Sequence, residues 1–195
     1  MEIDMVPVRS SKLIVVAASV LALVAAACGT NLNFLPPDDP AAPLFEVEAR
    51  NSAWFPHWAG FYVDGEGRVY RWDRSDSQDA SLADSVLTPR QLEQKYSAKR
   101  QLVKTLAAGE ALQRYQLVSA AAGGSLAELK AQCADAGILK ISAWVHDARD
   151  GRYHRILLHQ RGDHATTRRG DAARTLWQWL DQVTGTTSTG CDPYA

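Results

Sequence analysis

The sequence predicts an α+β domain: an antiparallel sheet built from two β-hairpins, with helices packed on one face of the sheet. Two runs of β-forming residues flank Asp-Gly turn sequences, at 64–67 and at 149–151. Helix-initiating residues at 88–91 follow the first hairpin, and an amphipathic segment over 171–185 follows the second. The 195-residue chain is 46% hydrophobic and 22% charged, which suits one folded domain. Its net charge of −1 gives no general attraction to nucleic acid or to an anionic membrane.

Five segments have the composition of strands. Apolar residues alternate with glutamates over residues 45–49, and this period of two predicts a short strand. The first hairpin is expected to join residues 61–63 to 68–72, and the second to join 138–146 to 153–159.

The first helix is expected to begin after Thr88, because Pro89 suits a first turn and Gln91 completes a capping box. Its apolar side is marked by Leu92, Tyr96, Leu102 and Leu106. Gly109 is expected to end it.

Three more helices complete the prediction. The second spans 110–121 and stops at Gly123-Gly124, and a short one follows over 126–134. Asp171 is expected to cap the last helix and Gly185 to end it.

The N-terminus has the pattern of an export signal. Residues 13–27 are apolar or small except for Ser19, and Arg9 and Lys12 precede them. A helix that spans a bilayer needs roughly 20 apolar residues, so this shorter run fits the core of a cleavable signal better than a permanent anchor. Residues 1–27 are therefore predicted to be a signal peptide.

Residues 24–29 read Val-Ala-Ala-Ala-Cys-Gly, which resembles the lipobox of bacterial lipoproteins. The resemblance implies that Cys28 becomes the first residue of the mature protein and carries the lipid. In many lipoproteins of this family, an Asp directly after the cysteine signals retention in the inner membrane. Gly29 stands at that position here, so the resemblance implies the outer membrane. Ala25 stands where that family most often has leucine. Ala25 and Ala27 also satisfy an ordinary signal-peptidase site, so a soluble secreted protein is the alternative.

The mature chain divides into a tether and a domain. Residues 28–44 hold the lipid-bearing cysteine and four prolines, which predicts an extended tether. Residues 45–195 are predicted to form a single globular domain. Once Cys28 is lipidated, Cys133 and Cys191 remain, and an oxidising compartment favours a disulfide between them.

Four histidines lie in the second hairpin and just after it: His146, His154, His159 and His164. If Asp150-Gly151 is a two-residue turn, Asp147 faces His154, while His146 and His159 share a face about 13 Å apart. One metal ion cannot bind such a set, so no metal and no cofactor are assigned.

Three other sets of residues have the composition of possible sites. Oxygen-bearing side chains spaced over 73–84 resemble a calcium loop, but Gln78 replaces the glycine that an EF-hand needs, so a solvated loop is preferred. Arginines over 149–169 form either a basic patch for lipid headgroups, lipopolysaccharide or an acidic partner, or a solvated face. Aromatic residues over 54–72 form either a ligand platform or, as preferred, the core of a small sheet.

No nucleophile elbow, phosphate-binding glycine loop, zinc-protease motif or Cys-x-x-Cys motif is found, and no catalytic residue is assigned. The predicted function is therefore a membrane-anchored envelope lipoprotein that acts as a non-catalytic binding or structural module with an envelope protein or glycan partner, and not with nucleic acid. The alternative is a secreted or surface hydrolase that uses the histidine-rich hairpin 146–164.

Overall fold

The computed structural model describes residues 34–51, 57–76, 79–129 and 136–186. The strands in these ranges are β1 (Pro43–Asn51), β2 (His57–Asp64), β3 (Arg68–Asp73), β4 (Val86–Leu87), β5 (Gln101–Thr105), β6 (Leu126–Leu129), β7 (Ile138–Asp147), β8 (Arg152–Gly162) and β9 (Ala165–Arg168). The helices are α1 (Pro89–Ser97), α2 (Glu110–Tyr115), α3 (Val118–Ala122) and α4 (Asp171–Thr184), with a short 3-10 helix at Ala80–Ala83.

All nine strands belong to one antiparallel sheet, in the order β5-β3-β2-β1-β7-β8-β9-β6, with β4 beside β8. The two predicted hairpins, β2–β3 and β7–β8, are confirmed. Strand β1 lies between them and pairs with both β2 and β7, which joins the hairpins into a continuous sheet.

The predicted α+β architecture, with two hairpins and helices on one face, is wrong. The described chain is mostly sheet, and its few helices lie on both faces: α2, α3 and α4 contribute to one core, and α1 to the other. Residues 101–105 and 126–129, both expected in helices, are the edge strands β5 and β6. The exposed β5 carries no period-two pattern, because pairing with β3 alone holds it in the sheet.

The helix boundaries show which local signals hold. Thr88 caps α1 with the expected capping box, since its side chain accepts from the Gln91 backbone while the Gln91 side chain accepts from Thr88. That helix ends at Ser97, well before Gly109. Gly185 ends α4 in the left-handed conformation, with φ 65°, where glycine is favoured. None of the helices in the described ranges is long and apolar enough to cross a membrane.

Each face of the sheet has its own hydrophobic core. The first face carries Phe45, Val47, Ile141 and Val145 and packs against α2, α3 and α4. The opposite face, here called the aromatic face, packs against α1 and the 3-10 helix. Its core contains Trp58, Tyr62, Trp72, Leu82, Leu87, Leu92, Tyr96, Trp144 and Tyr153. Because neighbouring residues of a strand point to opposite faces, β2, β3, β7 and β8 contribute to both cores, whereas β1 places Glu46 and Glu48 on the aromatic face.

The aromatic residues of the first hairpin are core residues. Trp58 and Trp72 are both fully buried, and their rings meet edge to face with centroids 6.0 Å apart. Tyr62 is also buried and stacks on Tyr70. The preferred prediction of core packing is confirmed for these residues, whereas Trp54 and Phe55 lie outside the described residues.

The aromatic face also buries a cluster of charged side chains, here called the ion cluster: Glu46, Glu48, Lys95 and Arg155. The Lys95 ammonium on α1 lies 2.5 Å from Glu46 Oε1 and 2.6 Å from Glu48 Oε2. Arg155 Nη1 lies 3.8 Å and 3.6 Å from the same two carboxylates, at Oε2 of each. Two cations thus face two anions, and all four side chains are at most 7% exposed.

Aromatic rings enclose this cluster. The Lys95 ammonium lies 5.5 to 5.6 Å from the ring centroids of Trp72, Tyr96 and Trp144, within cation–π range. Burial opposes ionisation of Glu48, but the neighbouring Lys95 and Arg155 outweigh it and hold the pKa of its carboxyl below the usual range. Glu48 is therefore ionised in the folded protein at neutral pH.

Candidate functional site

A groove of about 610 Å³ lies at the turn end of the β7–β8 hairpin, on the first face of the sheet. One wall is the segment 34–38, and the floor includes Val145 and Ile156. The segment is attached to the domain, because the Phe34 backbone N–H donates to Ser119 Oγ on α3 at 2.8 Å. A concave, largely apolar surface with a few polar groups at its rim is the usual form of a small-ligand site.

The polar rim comes from the turn between β7 and β8. Asp147 pairs with Arg152 across the hairpin, and residues 148–151 form the turn. This turn is longer than the two-residue turn predicted, so His154 lies opposite Val145 and not opposite Asp147. The longer turn brings Asp150 back over the strand, where its Oδ2 lies 2.9 Å from His154 Nε2.

Three side chains converge at this rim. One ligand-type atom from each of Asp147, Asp150 and His154 lies within 4.8 Å of the other two. Arg149 caps the group, with its Nη2 2.6 Å from Asp147 Oδ2 and its Nε 3.0 Å from Asp147 Oδ1. Hydrogen bonds from the Arg149 side chain hold the pKa of the Asp147 carboxyl far below its usual range.

The carboxylates also stabilise the turn itself. Asp147 Oδ1 accepts from the Arg149 backbone N–H, and Asp150 Oδ1 accepts from the Arg152 backbone N–H, each at 2.9 Å. Burial opposes ionisation of Asp150, but the hydrogen bonds from Arg152 and His154 together outweigh it and lower the pKa of its carboxyl. Both carboxylates are therefore anionic at neutral pH.

The histidines of the second hairpin do not come together. His159 is buried on the first face and stacks on Trp177 of α4, with ring centroids 4.6 Å apart. His146 borders the groove, but its ring packs on Tyr153, which belongs to the core of the aromatic face. His164 is exposed in the turn between β8 and β9. Only His154 joins the two carboxylates.

The arginines over 149–169 do not form one surface: Arg149, Arg152 and Arg169 are exposed, as expected of a solvated face, whereas the other three are held within the fold. Arg155 belongs to the ion cluster. Arg161 is buried and forms two hydrogen bonds to Asp181 of α4, at 2.9 and 3.0 Å. Arg168 donates to three backbone carbonyls at the end of α3 and in β8. Three of the arginines thus support the fold.

Two carboxylates of the acidic loop over 73–84 accept hydrogen bonds within the loop, while that of Asp76 pairs with Lys99. Asp73 Oδ1 accepts from the Ser75 backbone N–H at 2.8 Å, and Asp79 caps the 3-10 helix by accepting from Ser81. Apart from the group at the β7–β8 turn, the described residues contain no cluster that could hold a metal. Residues 77–78, which include Gln78, lie outside the described part.

Of the site residues assigned from the sequence, the lipidation site Cys28 and the disulfide pair Cys133 and Cys191 lie outside the described residues. The rim residues and the segment 34–38 were not assigned. The sequence signal for the rim was Asp147, Asp150 and His154 around one turn, but the two-residue turn assumed for the hairpin placed Asp150 away from His154. Comparisons of the chain with protein-family models, with curated proteins and with solved structures found no match.

Proposed function

We propose that this protein is an exported, lipid-anchored envelope lipoprotein whose domain is a non-catalytic binding module, and that the groove beside residues 34–38 takes its ligand. The observation that carries the binding role is the groove itself, with its apolar wall and floor and its charged rim. The export signal and the lipobox-like residues before Cys28 support the anchor.

The position of the groove supports a role close to a membrane. Phe34 follows Cys28 by six residues, and a chain of that length spans at most about 20 Å. If Cys28 carries lipid, the chain length keeps Phe34, a residue of the groove wall, within that distance of the lipid-bearing residue. An envelope protein or glycan that is presented at the membrane is therefore the class of partner we favour.

A hydrolase that uses the histidine-rich hairpin is less well supported. His159 is committed to packing on Trp177, and among the described groove residues no serine, threonine or cysteine offers a nucleophile. His154, the imidazole of this hairpin that contacts a carboxylate among the described residues, meets Asp150 at the rim. This arrangement favours binding over nucleophilic catalysis.

Replacing Cys28 with serine is expected to abolish lipid attachment and leave the protein unprocessed or soluble. The measurements are metabolic labelling with a radioactive fatty acid and partition into detergent after membrane fractionation. Serine cannot form the thioether, so the labelled band should disappear. A Cys28→Ser protein that still takes up label and partitions like the wild type would refute the lipoprotein proposal.

Replacing Leu35 with aspartate is expected to weaken binding of an uncharged apolar probe, N-phenyl-1-naphthylamine, by about tenfold or more, because a carboxylate would be placed in the apolar wall. Leu35 is 75% exposed, so the fold should survive. Leu102→Asp is the matched control, because Leu102 is 50% exposed on the edge strand β5 and does not line the groove. Equal probe fluorescence titrations for wild type and Leu35→Asp would exclude the groove as an apolar binding site.

A further inference from the structure

We propose that Asp147, Asp150 and His154 bind a divalent transition-metal ion at the rim of the groove. The three side chains come from one turn and the strands beside it, and their ligand-type atoms lie within 4.8 Å of one another. A zinc ion binds at about 2.0–2.2 Å from each ligand, so side-chain rotation must bring the three atoms closer together when the ion binds.

Turn formation explains only half of the carboxylate oxygens. The Oδ1 atoms of Asp147 and Asp150 accept the backbone N–H groups that shape the turn. The Oδ2 atoms are engaged by side chains instead, that of Asp150 by the His154 ring and that of Asp147 by Arg149. A bound cation can replace these side-chain partners while the turn keeps its backbone hydrogen bonds.

Arg149 already places a positive charge at this position. Its guanidinium bonds both oxygens of Asp147, while its own side chain is 87% exposed and free to swing into solvent. Arg149 therefore competes with a metal ion for the carboxylate of Asp147. This predicts a distinctive result: removing a positive charge from the turn should tighten metal binding.

The donor set selects the class of metal. An imidazole nitrogen with two carboxylates suits zinc and similar transition metals, whereas calcium and magnesium prefer oxygen ligands alone. Three protein ligands leave a coordination position open. Asp147 and His154 both line the groove, so an anionic group of a bound ligand could occupy that position. This last role rests on the proposed function of the groove, but metal binding itself does not.

The test is a titration of the purified, chelator-treated protein with Zn²⁺ alone. Calorimetry measures the affinity and the number of ions bound, and the NMR signals of the histidine rings show which imidazole binds. We expect one ion per chain, with shifts confined to His154, and at least about tenfold weaker binding in His154→Ala and Asp150→Asn. Arg149→Ala is expected to bind about two- to fivefold more tightly, since it loses a surface ion pair. His164→Ala is the matched control, because it removes an exposed imidazole that lies outside the cluster.

Three outcomes would overturn the proposal: no Zn²⁺ binding at millimolar concentration, binding that persists in His154→Ala through other groups such as cysteine thiolates, or weaker binding in Arg149→Ala. The apolar probe is measured without metal, so the two proposals fail separately. Loss of Zn²⁺ binding with intact probe binding refutes the metal site alone, and the converse refutes the apolar groove alone.

Discussion

Replacing Lys95 with methionine is expected to lower the free energy of unfolding by about 3–5 kcal/mol, because it leaves buried carboxylates without their closest cation. Lys95 is fully buried and contacts both Glu46 and Glu48. In the variant, the nearest remaining cations would be Arg155, at 3.6 Å or more from the two carboxylates, and Lys140, which also acts on Glu48. Methionine is similar in length and apolar, so the loss measures charge compensation more than packing. Urea denaturation followed by tryptophan fluorescence gives the value.

Two further variants separate charge from packing. Lys99→Met is the matched surface control, because Lys99 pairs with Asp76 while both side chains are more than half exposed, and it should change stability by less than about 1 kcal/mol. Adding Glu48→Gln to Lys95→Met restores one anion facing one cation. This double variant should therefore be more stable than Lys95→Met alone. If the second substitution adds a further loss, charge compensation is not what Lys95 provides.

The ion cluster shows why part of this fold is hard to predict. Residues 45–49 alternate between apolar residues and glutamates, and the strand they predict is present as β1. Alternation of this kind usually means that the polar side faces water. Here Glu46 and Glu48 are 1% exposed, because α1 lies over them and supplies Lys95. Only the packing of α1 on the sheet, a long-range property, reveals that both faces are buried.

Local signals, in contrast, predicted several turns and helix ends, although Asp171 is the first residue of α4 and not its cap, a position that Gly170 takes without a side-chain hydrogen bond. The capping box at Thr88 works through contacts within a few positions and lies where predicted, and both Asp-Gly sequences form hairpin turns, although the second turn is longer than predicted. The edge strands β5 and β6 were not predicted, because they depend on pairing with distant strands and not on neighbouring residues. Leu126 is 50% exposed in β6, and only pairing with β9 holds this segment extended. Exposed edges bury little apolar surface, so they leave no periodic pattern to read.

The candidate site was missed through the register of one hairpin. The sequence shows Asp147, Asp150 and His154 around one turn. A two-residue turn, however, predicts that Asp147 faces His154 and that Asp150 contacts neither of them. The observed turn places Arg152 opposite Asp147 and lets Asp150 reach His154. The groove wall over 34–38 was also unpredicted, because proline-rich sequence indicates an extended chain and says nothing about what that chain packs against.

Replacing Trp72 with alanine is expected to lower the free energy of unfolding by about 3–5 kcal/mol, the usual cost of removing a large buried aromatic side chain. Trp72 is fully buried at the centre of the aromatic face, edge to face with both Trp58 and Tyr96, at centroid distances of 6.0 and 5.6 Å. It also forms one wall around the Lys95 ammonium. Removing the indole would leave a cavity, with the loss of the ring contacts to Trp58 and Tyr96, and would also open one side of the enclosure around the Lys95 ammonium.

Trp72→Phe tests whether packing is the cause. The Nε1 atom of Trp72 is buried and has no hydrogen-bond partner among the residues that the structure describes, so phenylalanine removes an unpaired donor and keeps an aromatic ring. Its cost should therefore be well below that of alanine. Trp177→Ala is the control for a less buried tryptophan, because Trp177 on α4 is only partly buried and stacks on His159 of β8. Its loss of stability should be smaller than that of Trp72→Ala. A Trp72→Ala protein as stable as the wild type would show that this side chain is not part of the core, and would return it to the ligand-platform interpretation.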